Sequence, residues 1–193
     1  MNRIDIHSTR LHIRHYTQDD LESRYQLTTQ AFESETTVEL TQDWLTWTIS
    51  SYQELARLYQ PPYGDYAIEL KDTGEVVGSV GIVQTVVPWG VFGDQTPEEH
   101  HYLVSPEFGL FWAILPAHQR KGYASEAGKA VIDHMFNELH VQQVVATTDH
   151  DNLASQKTMT KLGMTLHHNT TGEPFWCEVV GVMKHPKISI VSP

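Results

Sequence analysis

Leu115-Pro116-Ala117-His118-Gln119-Arg120-Lys121-Gly122-Tyr123-Ala124 is the stretch on which the reading of this chain turns. The most apolar strand candidate, Phe108 to Leu115, runs into Pro116. The chain then turns over two cations and a glycine, and a helix opens at about Tyr123. The first amides of a helix have no partner within it and lie at the positive end of its dipole, so they form an anion site that a pyrophosphate fits. Gly122 lets backbone approach the anion closely, and Arg120 and Lys121 add positive charge. An ordinary strand-to-helix turn with solvated cations reads the same way, and this stretch alone does not separate the two.

Working outward, the helix from Tyr123 runs to about Leu139, with Ala124, Ala127, Ala130, Val131, His134 and Met135 on its packing side. Val141 to Thr148 is a strand rich in Val and Thr. Asn152 caps a helix that runs through Leu162 and is closed by Gly163. Glu178 to Met183 is the last strand. Upstream, Tyr66 to Leu70 and Val76 to Val83 form an antiparallel hairpin about the turn Lys71-Asp72-Thr73-Gly74-Glu75. Leu11-His12-Ile13-Arg14 alternates as a first strand. Thr17 caps a helix with Asp19, Asp20 and Glu22 in its first turn and an apolar stripe of Leu21, Tyr25 and Leu27 to Phe32. A second helix opens near Thr41 and runs towards Tyr59, with Trp44, Leu45, Trp47, Thr48, Tyr52, Leu55, Ala56 and Tyr59 at three- and four-residue steps; it stops before Pro61-Pro62. Pro88 to Pro106 carries turn signals and few strand signals, and a loop that long is usually functional. A hairpin combined with β-α-β units makes a mixed α/β (α+β) domain, expected as one unit over 1–193.

Composition narrows the function. The chain has 193 residues, 40% hydrophobic and 19% charged, which suits a single folded domain. Its formal net charge is −11 with 13 Lys and Arg, which argues against nonspecific nucleic-acid binding and favours a cationic partner. No stretch approaches a membrane span, and no signal-peptide core is seen. The single cysteine, Cys177, cannot form an internal disulfide, so a cytoplasmic location is expected. Of the 12 histidines, the pairs His100-His101 and His167-His168 point to opposite faces of a strand, and no Cys/His spacing suggests a metal site; none is expected.

The second informative segment follows a strand, thirty residues after Gly122: Asn152-Leu153-Ala154-Ser155, then Lys161-Leu162-Gly163-Met164. The ordered pair resembles the GCN5-related N-acetyltransferase family. Its Q/R-x-x-G-x-G/A loop reads here as Gln119 to Ala124, and its N-x-x-S/A…KLGF pattern reads as Asn152 to Ser155 and Lys161 to Met164. The opening Thr9 to Arg14 followed by Asp19-Asp20-Leu21-Glu22 resembles the RimJ/RimL-type branch, so the likeness covers about 9–184. It implies a mostly antiparallel central sheet of six or seven strands with helices on both faces. It also implies acetyl-CoA as cosubstrate and direct acetyl transfer to a primary amine, a protein N-terminus or a small molecule. A homodimer is left open.

On that resemblance, the backbone at Ala113 and Ile114 meets pantetheine. Gln119, Arg120, Lys121, Gly122, Tyr123 and Ala124 wrap the pyrophosphate, Asn152 bonds the pantetheine arm and Ser155 lies near the sulfur. Trp44, Trp47 and Tyr52 are candidates for touching the acceptor, with helix core as their alternative role. Two family positions depart. The usual tyrosine acid is Met159, which cannot donate a proton, and Ser155 is the expected substitute, with a helix-capping hydroxyl as its other role. The branch's glutamate position falls on Gly109. Glu107, two residues earlier and so on the same strand face, is the candidate base through a water, with His101 a lesser one. The same departures support an alternative, a non-catalytic acyl-CoA-binding or sensing module. A nucleotide-phosphate domain of another fold would need a Walker or G-x-G-x-x-G pattern, and neither is present.

Overall fold

The computed structural model describes residues 4–92 and 104–187. Eight strands form one sheet in the order β1-β2-β3-β4-β5-β6-β8-β7, one more than the upper expectation, and every pairing with a recorded register is antiparallel except β5 with β6. The strands missed by sequence reading are β1 (Asp5–His7) and β7 (Thr165–His168), too short to show a period of their own. The chain divides into two compact units, one of residues 1–83 with 111–134 and one of 84–110 with 135–193.

The first unit holds β1, β2 (Leu11–His15), α1 (Leu21–Gln30), α2 (Val38–Arg57), β3 (Gly64–Leu70), most of β4 (Val76–Val87), the end of β5 (Ser105–Ile114) and most of α3 (Tyr123–Asn137). The expected hairpin is present but longer, with β3 starting at Gly64 and β4 running to Val87. Its second strand lies so close to β5 that a Cβ at Gly81 would stand 1.9 Å from the Phe111 ring, and one at Gly78 would stand 2.4 Å from the Ala113 carbonyl oxygen. Glycine is required there by space. Leu115 N–H then closes on the Val77 carbonyl at 2.9 Å.

Three helical expectations are corrected. Before α1 comes a short 3-10 turn, Gln18–Asp20, whose Asp20 carboxylate accepts from the Thr17 amide at 2.7 Å. The residues that α1 buries are Arg24 and Leu27; Phe32 lies beyond its end and is exposed. The cap of α2 is Thr37, whose hydroxyl accepts from Leu40 N–H at 3.2 Å, so the helix starts one turn earlier than Thr41, itself a buried residue. Tyr16, Leu45, Ala67 and Val76 pack with Leu21 and Trp44 in this unit, and Leu27, Ala113 and Leu115 pack with Ala31.

The second unit holds the start of β5, β6 (Gln143–Thr148), α4 (Leu153–Leu162), β7 and β8 (Val179–Lys184). Val87, Val145, Cys177, Val180 and Val182 form its core with Trp89 and Phe92 against them. Burial pushes the Cys177 thiol up to about 11, which makes it an unreactive core residue. At Gly181 in β8 a Cβ would stand 3.0 and 3.1 Å from the Met159 and Met164 sulfurs, so the site is tightly packed. Between β7 and β8 the buried Asn169 organises the chain: its amide donates to the Glu173 and Cys177 carbonyls and its oxygen accepts from Thr171. Of the α3 face expected to pack, Ala127, Val131 and Met135 are buried together with Gly128, Ile132 and Phe136, while Ala124, Ala130 and His134 are only partly buried.

Candidate active site

The loop from Gln119 to Gly122 has the backbone the sequence asks for. Gly122 has φ +85° and Arg120 φ +60°, so two of three consecutive residues are left-handed and the chain reverses tightly before α3 begins at Tyr123. Arg120 and Lys121 are exposed. Gln119 instead turns its side-chain amide back to donate to the Ile114 carbonyl at 3.0 Å, tying the loop to the end of its own strand. Gly122 C=O accepts from Glu126 N–H at 3.0 Å and from the Ser125 hydroxyl at 2.9 Å, which starts the helix.

A second tie comes from the turn between β1 and β2, which no local signal in the sequence could show. Arg10 donates from Nη1 to the Lys121 carbonyl at 3.1 Å and from Nε to Glu126 at 2.7 Å, and its guanidinium lies 4.6 Å from the centre of the Tyr123 ring. Glu126 also accepts from the Arg10 amide at 2.8 Å and the Ser8 hydroxyl at 2.7 Å. Partial burial opposes ionisation of Glu126, but these donors outweigh it and hold its carboxyl below the usual range. The negative charge that Glu126 brings to the first turn of α3 is thereby compensated.

On β5, Ala113 and Ile114 are buried. The recorded pairing of β5 with β6 has two rungs, Phe108–Val144 and Gly109–Val145. Glu107, just before them, is a well-held carboxylate. Its Oε1 accepts from Trp89 Nε1 at 2.9 Å and from the Ser105 hydroxyl at 2.7 Å, and its Oε2 accepts from the Gln143 amide at 3.1 Å. Among the described residues these three donors fill three of its roughly four acceptor sites. His101 lies outside the described residues, as does most of the Pro88 to Pro106 segment; β5 begins inside that segment, at Ser105.

In α4, Asn152 is the N-cap: its side-chain oxygen accepts from Ser155 N–H at 3.1 Å, and Gly163 closes the helix with φ +91°. Replacing Asn152 by Ala is therefore expected to lower stability by about 1 kcal/mol, read from the urea midpoint, apart from any effect on ligand affinity. The Ser155 hydroxyl has no hydrogen-bond partner among the described residues, so it is the amide of this residue, and not its hydroxyl, that the cap employs. Met159 is fully buried beside Gly181.

The three α2 aromatics fare differently. Trp44 takes the Arg24 guanidinium on its face at 3.7 Å and the Tyr16 ring edge-on at 5.5 Å. Tyr52 stacks on His15 at 3.9 Å, with Tyr66 5.6 Å from both rings, accepts from Tyr16 N–H at 3.2 Å and donates to the Asp65 carbonyl. Burial raises its hydroxyl far above the ordinary phenol range, so it stays a protonated donor. Both rings are engaged within the fold. Trp47 is 67% exposed.

Beneath Trp44, Arg24 donates to Asp65 at 3.0 Å, and Ser79 bonds the other oxygen of that carboxylate. Burial pushes Asp65 up to about 6, against the pull of Arg24 and Ser79.

Comparison with known proteins gives the family and the fold. The family model described as an acetyltransferase (GNAT) domain matches residues 10–165. Among curated proteins, the uncharacterized N-acetyltransferase YjdG of Bacillus subtilis is 33% identical over 117 residues, which is 61% of this chain and 60% of that protein. The chain thus matches less than two thirds of the length of that relative. Among solved structures, a GNAT-family acetyltransferase from Bacillus anthracis superposes with a TM-score of 0.66 over 94% of this chain and 98% of that one, at 19% identity. RimL, a ribosomal L7/L12 alpha-N-protein acetyltransferase in complex with coenzyme A, superposes with 0.64 over 94% and 96%, at 16% identity. At such identities these two likenesses establish the fold. With a family match running from Arg10, just before β2, through α4 and containing both the Gln119–Ala124 loop and the Asn152 cap, the chain belongs to the GNAT acetyltransferase family.

Proposed function

We propose that this chain is an acetyl-CoA-dependent N-acetyltransferase of the RimJ/RimL type, moving an acetyl group directly to a primary amine. The observation that carries the reading is the left-handed Arg120–Gly122 turn opening onto the first turn of α3. The residues present fit the nucleotide end of acetyl-CoA: two exposed cations, a glycine at the closest approach and helix amides with no partner in the helix. Gln119, Arg120, Lys121, Gly122, Tyr123 and Ala124 form this cradle. β5 continues past its last rung with β6 through Ala113 and Ile114, where the family pairs pantetheine. Since Gln119 already takes the Ile114 carbonyl, pantetheine would use the remaining backbone groups there.

Acetyl-CoA supplies a thioester carbonyl; the amine nitrogen forms a bond to its carbon, the carbon–sulfur bond breaks, and the sulfur leaves as a thiolate that takes a proton. The amine must first lose its own proton, since an alkylammonium has a pKa of about 10. In this reading Glu107 accepts that proton through a water, and the Trp89, Ser105 and Gln143 donors keep it oriented. Asn152 holds the start of α4 against the pantetheine arm, and Ser155 donates its unpaired hydroxyl to the leaving sulfur. Of the candidate acceptor contacts, Trp44 and Tyr52 act through packing, and Trp47 offers an exposed ring face. The acceptor is a cationic amine, a peptide N-terminus or a small molecule, which the net charge of −11 would attract.

The deciding experiment is thiol release from acetyl-CoA over a panel of amines and short peptides. Turnover on one acceptor, reduced roughly 100-fold or more by Glu107→Gln with CoA affinity unchanged, is the expected result. Ser155→Ala is expected to lower kcat with CoA affinity retained. A second reading, an acyl-CoA-binding module without catalysis, is favoured by Met159, a buried core residue at the family's proton-donor position. Tight CoA binding without turnover on any acceptor would establish it, and failure to bind CoA would sink both.

A further inference from the structure

At one end of the sheet, three ligand-type side chains from two strands meet on one face. β1 and β2 pair with Asp5 opposite Arg14 and His7 opposite His12, and β2 and β3 pair with His12 opposite Glu69. His7, His12 and Glu69 therefore form one cross-strand row. Asp5 lies two residues before His7 and shares its face. His12 Nε2 stands 2.7 Å from Asp5 Oδ1, and His7 Nε2 stands 3.5 Å from the same oxygen. The two imidazoles are stacked, 4.3 Å between centres and 9° from parallel, with both Nε2 atoms turned to that carboxylate. Spacing along the chain could not reveal this, because the strand pairing brings the ligands together.

We propose that Asp5 Oδ1, His7 Nε2 and His12 Nε2 bind a divalent transition-metal ion, of which Zn²⁺ is the natural probe, with a fourth position left to water. The ligand atoms all lie within 4.8 Å of one another. Bonds of about 2.0–2.2 Å to a tetrahedral ion put ligand atoms about 3.3 Å apart, so side-chain rotations of an ångström or less complete the set. The His12 contact opens and the His7 contact hardly changes. Behind the ligands the support is already built: His12 Nδ1 is 3.4 Å from Glu69 Oε1, and Glu69 Oε2 accepts from Arg14 Nε at 2.7 Å. Without an ion, the 2.7 Å contact is His12 Nε2–H donating to Asp5; an ion displaces that proton, and Nδ1–H facing Glu69 is then the usual outer support of a metal-bound histidine. Arg14 also donates to the two Asp20 oxygens at 2.8 and 2.9 Å and to the His15 carbonyl at 3.1 Å, so its charge is balanced by two carboxylates. Two imidazoles and one carboxylate suit Zn²⁺, Ni²⁺ or Cu²⁺, whereas Mg²⁺ and Ca²⁺ select oxygen ligands. Bound there, the ion staples the three-residue β1 to β2 at the end of the sheet.

The test is calorimetric titration of the full chain with ZnCl₂ in a non-chelating buffer, paired with thermal unfolding. One equivalent is expected to bind in a saturable step and raise Tm, while Mg²⁺ and Ca²⁺ do neither. His7→Ala and Asp5→Asn, at side chains 54% exposed, leave the fold intact and should each remove the step. Glu69→Gln should weaken binding about tenfold or more while keeping one equivalent. The chain has 12 histidines, so uptake elsewhere is the competing outcome. Zn²⁺ binding that is unchanged in His7→Ala, or no binding to the wild-type chain, would overturn the proposal. Neither readout depends on acetyl transfer.

Discussion

Replacing Arg24 by Met is expected to destabilise the fold by about 3–5 kcal/mol, the cost of leaving a buried carboxylate without its partner. Arg24 is 8% exposed and donates to Asp65 at 3.0 Å, and Met retains most of its apolar stem against Trp44 while removing the charge. The sign of the pH dependence follows from Asp65. Burial has raised its carboxyl from 3.8 to about 6, so the folded state prefers the protonated acid. Its favourable contribution is complete below about 3.8 and is lost as pH rises through about 6. Without Arg24 the folded-state value rises further, and protonation then relieves the strain nearer to neutrality. The loss in Arg24→Met should therefore be larger at pH 8 than at pH 5, as read from urea midpoints with an unchanged m-value. Adding Asp65→Asn should recover part of it. Equal losses at both pH values would mean that the carboxylate is not what Arg24 compensates.

Gly122→Val is expected to lower CoA affinity at least tenfold, about 1.4 kcal/mol, with a smaller effect on turnover at saturating acetyl-CoA. At φ +85° a β-branched residue is disfavoured by roughly 1–2 kcal/mol or more, so the loop would shift out of its left-handed turn. The new side chain would also stand where the proposed cradle needs bare backbone. Calorimetry with CoA and the KM for acetyl-CoA measure the effect. A variant with unchanged Tm and unchanged CoA affinity would remove the loop from the binding site, whatever the chain's activity.

Arg24 also shows where reading along the chain falls short. In α1 the apolar stripe expected through Leu27 to Phe32 gives way to a buried arginine, because its partner Asp65 comes from β3 and its aromatic cover from α2. Periodicity cannot distinguish a buried cation with such partners from one in solvent. The length of the Thr17 to Asp20 turn, the end of α2 before Pro61, the Asn152 cap and the Gly163 stop are by contrast local events. Each depends on side-chain groups within a few residues of the backbone they satisfy. Glu107 lies between these cases. Its place on the strand could be counted from Gly122, but its donors Trp89 and Gln143 come from other elements.

By itself, then, the sequence determined the family, the Asn152 cap and Gly163 stop of α4, the central hairpin and the Gln119–Ala124 loop, since a proline, two cations and a glycine before a helix act over a few bonds. The tertiary structure alone decided the short strands β1 and β7, the Arg10 and Ser8 ties to α3, the Arg24–Asp65 pair and the meeting of Asp5, His7 and His12. Strand pairing and packing bring these residues together across up to 118 positions of chain, and burial then sets what each contact is worth.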